Sequence, residues 1–147
     1  MAREFDFSLL KKQTVNYQQI EVTIHKAYKS VEASRKVLGT DTDSSFILAY
    51  EAMLKATLAL MLSRGYRPRT ALGHHKTLVD FSSFVLGEKF EGITAAYDSM
   101  RAKRNKVVYD IALVSEDEAS QATILAGQYV DIIKNKIEED NPQPRLL

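Results

Sequence analysis

The sequence contains no cysteine, and only six of its 147 residues are glycine and three are proline. Without cysteine the chain has no disulfide, no thiolate nucleophile and no cysteine-based metal site. The scarcity of glycine and proline leaves little material for the turns of a β-rich fold. A net charge of +1 excludes a strong overall field for polyanions. Any contact with nucleic acid must therefore come from a local basic patch.

Signals for export or for a membrane are also scarce. The N-terminal residues lack the apolar segment of a signal peptide. The long apolar stretch 46–62 approaches the length of a short membrane span, but Glu51 and Lys55 lie near its middle and would be costly in lipid. We therefore expect a buried helix there and no membrane contact. The prediction is a soluble, cytoplasmic protein with a single domain over 1–147.

Helical periodicity of apolar residues dominates the chain and predicts an all-α fold, an up-and-down bundle of about five helices. Segments that alternate with period two are few, so we expect no sheet. The bundle core is expected over about 17–138, and a frayed tail over 139–147, where two prolines cannot continue a helix. The predicted helices cover 7–38, either unbroken or with a break near Asn16, then 44–63, 74–86, 92–109 and a segment that begins at a capping-box pattern at Ser115.

The fourth predicted helix carries an arginine among apolar residues. On a helical wheel, Arg104 falls within the apolar arc that includes Met100, Val107 and Val108. An arginine there must be paired, must extend to solvent or must face a cleft. Arg101, Asn105 and Tyr109 lie on the adjoining flank, so these three and Arg104 can converge on one groove. Two guanidinium groups, an amide and a phenol are suited to binding a phosphate or a nucleotide.

An alternative role for Arg104 is structural, because Glu51 on the second helix can pair with it inside the bundle. Elsewhere, His74 and His75 suggest metal, but adjacent residues diverge by about 100° on a helix and rarely chelate together. With no further ligand at the expected spacing, we predict no metal. Arg67 and Arg69 can contact phosphate, or can belong to a solvated loop. No nucleotide-loop, serine-hydrolase or zinc-protease motif occurs, and no cofactor is expected.

Several segments together resemble the HEPN family. They are residues 49–56 (Ala-Tyr-Glu-Ala-Met-Leu-Lys-Ala), the Gly-Tyr-Arg-Pro loop at 65–68, the Gly-His-His step at 73–75 and the segment 101–109. The resemblance implies a small helical bundle that dimerises. It also implies an Arg-polar motif followed by a histidine, two copies of which form a metal-independent ribonuclease site across the dimer. Many members are toxins encoded beside a minimal nucleotidyltransferase antitoxin, and others are non-catalytic.

Carried over to this chain, the resemblance assigns the motif arginine to Arg104 and the polar position to Asn105. The histidine position falls on Tyr109, and tyrosine is a poor general base near neutral pH. The tyrosine that some family antitoxins adenylylate corresponds here to Ile111, so that regulation does not carry over.

Three functions follow as hypotheses. The first is a binding subunit for RNA or nucleotide with a degenerate motif, working as a homodimer or with a nucleotidyltransferase partner. The second is an active ribonuclease toxin in which His74 or His75 supplies the base. The third is a non-catalytic module for protein interaction.

Overall fold

The computed structural model describes residues 4–69, 74–109 and 112–141. The described part of the chain is a bundle of five α-helices, which confirms the predicted all-α class. The helices lie close to the positions expected from apolar periodicity. Their bounds are α1 (Tyr17–Val37), α2 (Thr42–Ser63), α3 (His74–Leu86), α4 (Glu91–Tyr109) and α5 (Glu116–Asp140).

Three helices begin at a side chain that accepts a hydrogen bond from the first turn. Asn16 accepts from the backbone of Gln19 at the start of α1, and Asp41 does the same for Ser44 in α2. At α5 the predicted capping box is present, because Ser115 and Glu118 each accept from the other's backbone N–H. Such caps satisfy amide groups that have no partner within the helix, and they fix where each helix starts.

The most apolar helix, α2, lies at the centre of the bundle and contacts each of the other four helices. It is long and apolar enough to cross a membrane, but 67% of its most apolar stretch is buried inside the protein. A helix that is apolar on nearly all sides is the pattern of a buried core helix in a soluble domain. The core around it contains three fully buried tyrosines, Tyr50, Tyr97 and Tyr129.

A small antiparallel sheet corrects the expectation of a chain without strands. Strand β1 (Leu10–Lys12) pairs with β2 (Tyr66–Pro68), and a single 3-10 turn (Phe7–Leu9) precedes β1. The first helix therefore starts at Tyr17 and not at residue 7. Three-residue strands are too short to show a period of two, and their pairing joins segments that are distant in sequence.

Gly65 connects the end of α2 to β2. Its φ of 82° lies in the left-handed region that glycine adopts without strain. Its N–H donates to the carbonyl of Leu62, and its own carbonyl accepts from Gln13, which brings the β1 segment alongside. The Gly-Tyr-Arg-Pro segment, expected to be a loop, thus contains the whole of strand β2.

The C-terminal helix extends two residues into the segment expected to be frayed. Glu139 and Asp140 are helical, and Asn141 follows as the cap. Asp140 forms an ion pair with Arg64 at the end of α2. The remainder of the expected tail, with its two prolines, lies outside the described residues, as do Gly73 and Ile111.

Candidate functional site

Arg104 is one of three half-buried cations of α4, beside Arg101 and Lys103. Its Nε atom is buried and has no hydrogen-bond acceptor within the part of the chain that the structure describes. Its charge acts on two side chains from other helices, Tyr50 of α2 and His75 of α3, and it helps to hold the pKa of His75 below its ordinary value. A buried donor without an acceptor costs free energy, and the cost is larger for a charged group. Arg104 is therefore suited to an acceptor that comes from outside the chain.

Tyr50 and His75 form the contact beside Arg104. The Tyr50 hydroxyl lies 3.2 Å from His75 Nδ1, and the two ring centroids are 5.8 Å apart. Burial raises the pKa of Tyr50, so its hydroxyl stays protonated. Burial, together with the charges of His74, Arg104 and Arg101, lowers the pKa of His75. The imidazole is consequently held neutral near physiological pH, and Nδ1 can accept a hydrogen bond from the phenol.

Arg101 is the second arginine near this contact, but its guanidinium group already forms an ion pair with a carboxylate. Its Nε donates to Asp98 Oδ1 at 2.9 Å, and Lys76 Nζ lies 3.3 Å from the same oxygen. Burial opposes the charge on Asp98, but the hydrogen bonds from Arg101 and Lys76 bring the pKa of its carboxyl below its ordinary value. The pairing orients Arg101 and partly neutralises it. Arg104 thus remains the arginine of the site with the most unsatisfied hydrogen-bonding capacity.

A buried layer of hydroxyl groups lies beneath the site. The rings of Tyr50, Tyr97 and Tyr129 follow one another, with centroids 5.9 Å and then 5.1 Å apart. Thr57 of α2 lies 2.6 Å from the hydroxyl of Tyr129 and 3.3 Å from that of Tyr97. These hydrogen bonds join α2, α4 and α5 and satisfy the buried hydroxyl groups within the protein. The ring of Tyr50 therefore packs on a rigid layer.

Two residues predicted to share a groove with Arg104 are exposed to solvent. Asn105 is exposed, and Tyr109 is 79% exposed at the end of α4. Val108, expected on the core face, is 41% exposed, so that part of the wheel prediction was wrong. The apolar face of α4 follows Thr94, Tyr97 and Met100, and burial decreases along the last two turns of the helix. Tyr109 therefore stands in solvent in the single chain.

The alternative pairing of Arg104 with Glu51 is not formed. Glu51 is half-buried and has no ion pair among the described residues. Lys55, one turn further along α2, donates instead to Ser30 Oγ of α1 at 2.8 Å. Lys55 thus contacts α1, and Glu51 does not neutralise Arg104.

The remaining predicted residues lie around a different cleft. Arg67, Arg69 and His74 line a cavity that is not lined by Arg101 or Arg104. Arg69 is fixed there, since its Nε and Nη2 donate to the backbone carbonyls of Ser8 and Leu10. His74 and His75 touch edge to face, with centroids 4.8 Å apart, and lie at the boundary between cleft and site.

Sequence reasoning missed three residues of the site: Tyr50, Lys76 and Asp98. The sequence analysis gave Tyr50 no role of its own within the apolar segment 49–56. Lys76 and Asp98 contact each other between α3 and α4, so neither helix alone indicates the pair. The one local signal was the spacing of Asp98 and Arg101, which are three residues apart on one helix and therefore neighbours. In the described ranges, no group of three or more histidine, aspartate or glutamate side chains can hold a metal ion.

Comparison with known proteins adds no relative to this description. The chain matches no model of a known protein family, and no curated protein sequence matches it.

Proposed function

We propose that this protein is a HEPN-type subunit that binds RNA or a nucleotide, with Arg104 as the principal phosphate ligand. The observation that carries the proposal is the buried Nε of Arg104, which has no acceptor among the described residues. A guanidinium group presents several donors in a planar fork that fits phosphate oxygens. Arg101, oriented by Asp98, supplies a second guanidinium on the same helix one turn away.

Binding without cleavage is the first reading of this site. The side chain at the motif's histidine position is Tyr109, which extends into solvent. In a single chain no general base therefore stands at the position that the family uses. The protein then holds RNA or nucleotide as a degenerate member and works with a partner.

A metal-independent ribonuclease is the second candidate, and His75 is the observation that favours it. Its imidazole is kept neutral by burial and neighbouring positive charge, and it lies beside Arg104. A neutral imidazole can accept the proton of a ribose 2′-hydroxyl, which here requires that hydroxyl to replace the Tyr50 hydroxyl at Nδ1. An adjacent guanidinium can stabilise the charge that develops on phosphate. His75 would then replace the motif histidine from a neighbouring helix.

The partners follow from the same proposal. We propose a homodimer, supported by Val108, Tyr109 and Leu113, three exposed apolar side chains close together in sequence at the end of α4. A dimer that buries them would bring Tyr109 of each copy toward the other. A minimal nucleotidyltransferase is the alternative partner that the family resemblance suggests. The absence of cysteine fits a reducing cytoplasm.

One assay separates the two candidates. A labelled pool of single-stranded RNA is incubated with the protein in chelator, and retardation on a native gel is compared with cleavage on a denaturing gel, for wild type and Arg104→Ala. Retardation without cleavage, lost in the variant, supports the binding subunit. Cleavage that requires Arg104 and His75 supports the ribonuclease. Retardation and cleavage that are both unchanged in Arg104→Ala contradict the proposal.

A further inference from the structure

A second concave site lies between α1, α2, α3 and strand β2. It encloses about 540 Å³, within the range of cavities that hold small organic ligands. Its wall includes Lys55 of α2 and Arg67 and Arg69 of the β2 segment, whereas Arg101 and Arg104 of α4 are not part of it. The cleft is therefore built from different side chains than the site beside Tyr50 and His75.

The charge of this cleft is of one sign. The chain has 19 acidic residues against 20 lysines and arginines, yet no carboxylate is among the described residues that line the cleft. Lys55 donates to a serine hydroxyl, and Arg69 donates to two backbone carbonyls. These acceptors are uncharged, so they orient the two cations without neutralising them. Arg67 is exposed on β2 and has no ion pair among the described residues.

Part of the wall of the cleft is apolar. Leu54, Leu58 and Leu62 present one side of α2 to it, and Leu78 of α3 adds to the same wall. Four leucines in the lining match the apolar character that is usual for sites that take an organic ligand. An inorganic ion would leave this wall uncovered, and a purely apolar ligand would leave the three cations without a counter-charge.

We infer that this cleft binds a mononucleotide, either free or as the terminal nucleotide of an RNA chain, with the phosphate at Lys55, Arg67 and Arg69. The base or ribose then packs on the leucine wall. A phosphate ester on a flat, weakly polar body matches both halves of the lining. The inference deepens the proposed function by adding a second phosphate-binding position on the chain, and it does not depend on Arg104.

The experiment is calorimetric titration of the purified protein with adenosine 5′-monophosphate at low salt, with adenosine and inorganic phosphate titrated separately. The nucleotide is expected to bind with one site per chain, and each fragment at least about tenfold more weakly. Lys55→Met and Arg67→Gln should each weaken nucleotide binding about tenfold, the loss expected for one charge-assisted hydrogen bond. Lys29→Gln, an exposed cation of α1 outside the cleft, should change it less than about twofold.

Several results overturn the inference. Absence of saturable nucleotide binding does so, as does adenosine or phosphate binding as tightly as the nucleotide. If Arg104→Gln abolishes nucleotide binding and Arg67→Gln does not weaken it, the nucleotide binds at the Arg104 site. That result contradicts the inference about the cleft and agrees with the proposed function. Conversely, nucleotide binding that survives Arg104→Gln in a protein that no longer binds RNA supports the cleft separately. Arg67 is exposed, so its replacement leaves the fold intact, which circular dichroism checks.

Discussion

The hydroxyl of Tyr50 lies 3.2 Å from Nδ1 of His75, and this contact links α2 to α3 beside Arg104. Tyr50 is fully buried and its hydroxyl has no other hydrogen-bond partner among the described residues, so the phenol must donate to the imidazole to be satisfied. His75 is thereby held as the neutral ring with its proton on Nε2. The contact positions the one imidazole that stands next to the candidate phosphate site.

Removal of the Tyr50 hydroxyl should remove the hydrogen bond that His75 accepts and change its pKa. In Tyr50→Phe the neutral ring loses its hydrogen bond, so the pKa of His75 is expected to rise toward its ordinary value. The free energy of unfolding should fall by about 1 kcal/mol, the usual value of one such bond. Titration followed by NMR of the histidine ring, together with urea denaturation, measures both effects. An unchanged His75 pKa would show that the hydroxyl does not stabilise the neutral form.

The pH dependence of stability should carry the signature of His75. Its pKa is lowered in the folded chain from the ordinary 6.5, so below that value the unfolded chain binds more protons. The stabilisation is complete above pH 6.5 and is lost as the pH falls toward the folded-state pKa. The pKa of the Asp98 carboxyl is lowered from its ordinary value, so this group changes stability only at more acidic pH. It therefore does not overlap with the pH range in which His75 titrates.

His75→Gln should therefore flatten the dependence of unfolding free energy on pH between about 5 and 7. The exposed His25 on α1 offers the matched control, and His25→Gln should leave the slope in place. Equal slopes in His75→Gln and in the wild type would contradict the assignment.

The buried hydroxyl layer should be sensitive to the loss of a single oxygen. Thr57→Val leaves the phenols of Tyr97 and Tyr129 without their shared partner, and a buried unsatisfied group costs about 1–3 kcal/mol. Thr57→Ser keeps the hydroxyl and should recover most of that loss. Thermal or urea unfolding of the two variants makes the comparison, and a Thr57→Val variant as stable as the wild type would contradict the role of the hydroxyl.

The capping box of α5 should be worth about 1 kcal/mol. Ser115→Ala removes the acceptor for the Glu118 N–H at the start of the longest helix, and such replacements cost about 0.5–2 kcal/mol. Ser120→Ala, within the same helix, serves as the control and should be near neutral. Denaturant unfolding distinguishes them, and equal costs at the two positions would count against the cap.

The exposed apolar end of α4 should control self-association. If Val108, Tyr109 and Leu113 are buried in a homodimer, Tyr109→Glu places two like charges in that interface and should yield monomers. Sedimentation equilibrium over a concentration series tests this, with Lys106→Glu as a neighbouring exposed control. A wild-type protein that is monomeric at all concentrations would contradict the proposed dimer.

Helices were predictable from this sequence because their signals are local. Asp41, Ser115 and Glu118 fix helix starts through neighbours in sequence. Apolar residues on nearly all sides mark α2 as central. The strands β1 and β2 were not predictable, because three-residue strands carry no periodic pattern and their pairing is long-range.

The site was only partly predictable for the same reason. A wheel placed Arg104 on the inward face of α4 but gives no distance to another helix, so it left open a pairing with Glu51 that the fold does not form. The wheel also treats a helix as equally buried along its length, which is why Tyr109 was grouped with Arg104. The Tyr50–His75 contact depends on how α2 and α3 are set against each other, and no local pattern reports that.

The most direct test of the central claim is the affinity for a labelled single-stranded RNA, measured by fluorescence anisotropy in chelator. Arg104→Gln is compared with Lys106→Gln, which removes the same charge from an exposed position on the same helix. We predict that Arg104→Gln raises the Kd by at least about tenfold and that Lys106→Gln changes it by less than about threefold. Equal effects of the two substitutions, or no RNA binding by the wild type, would contradict the role of Arg104 as the phosphate ligand.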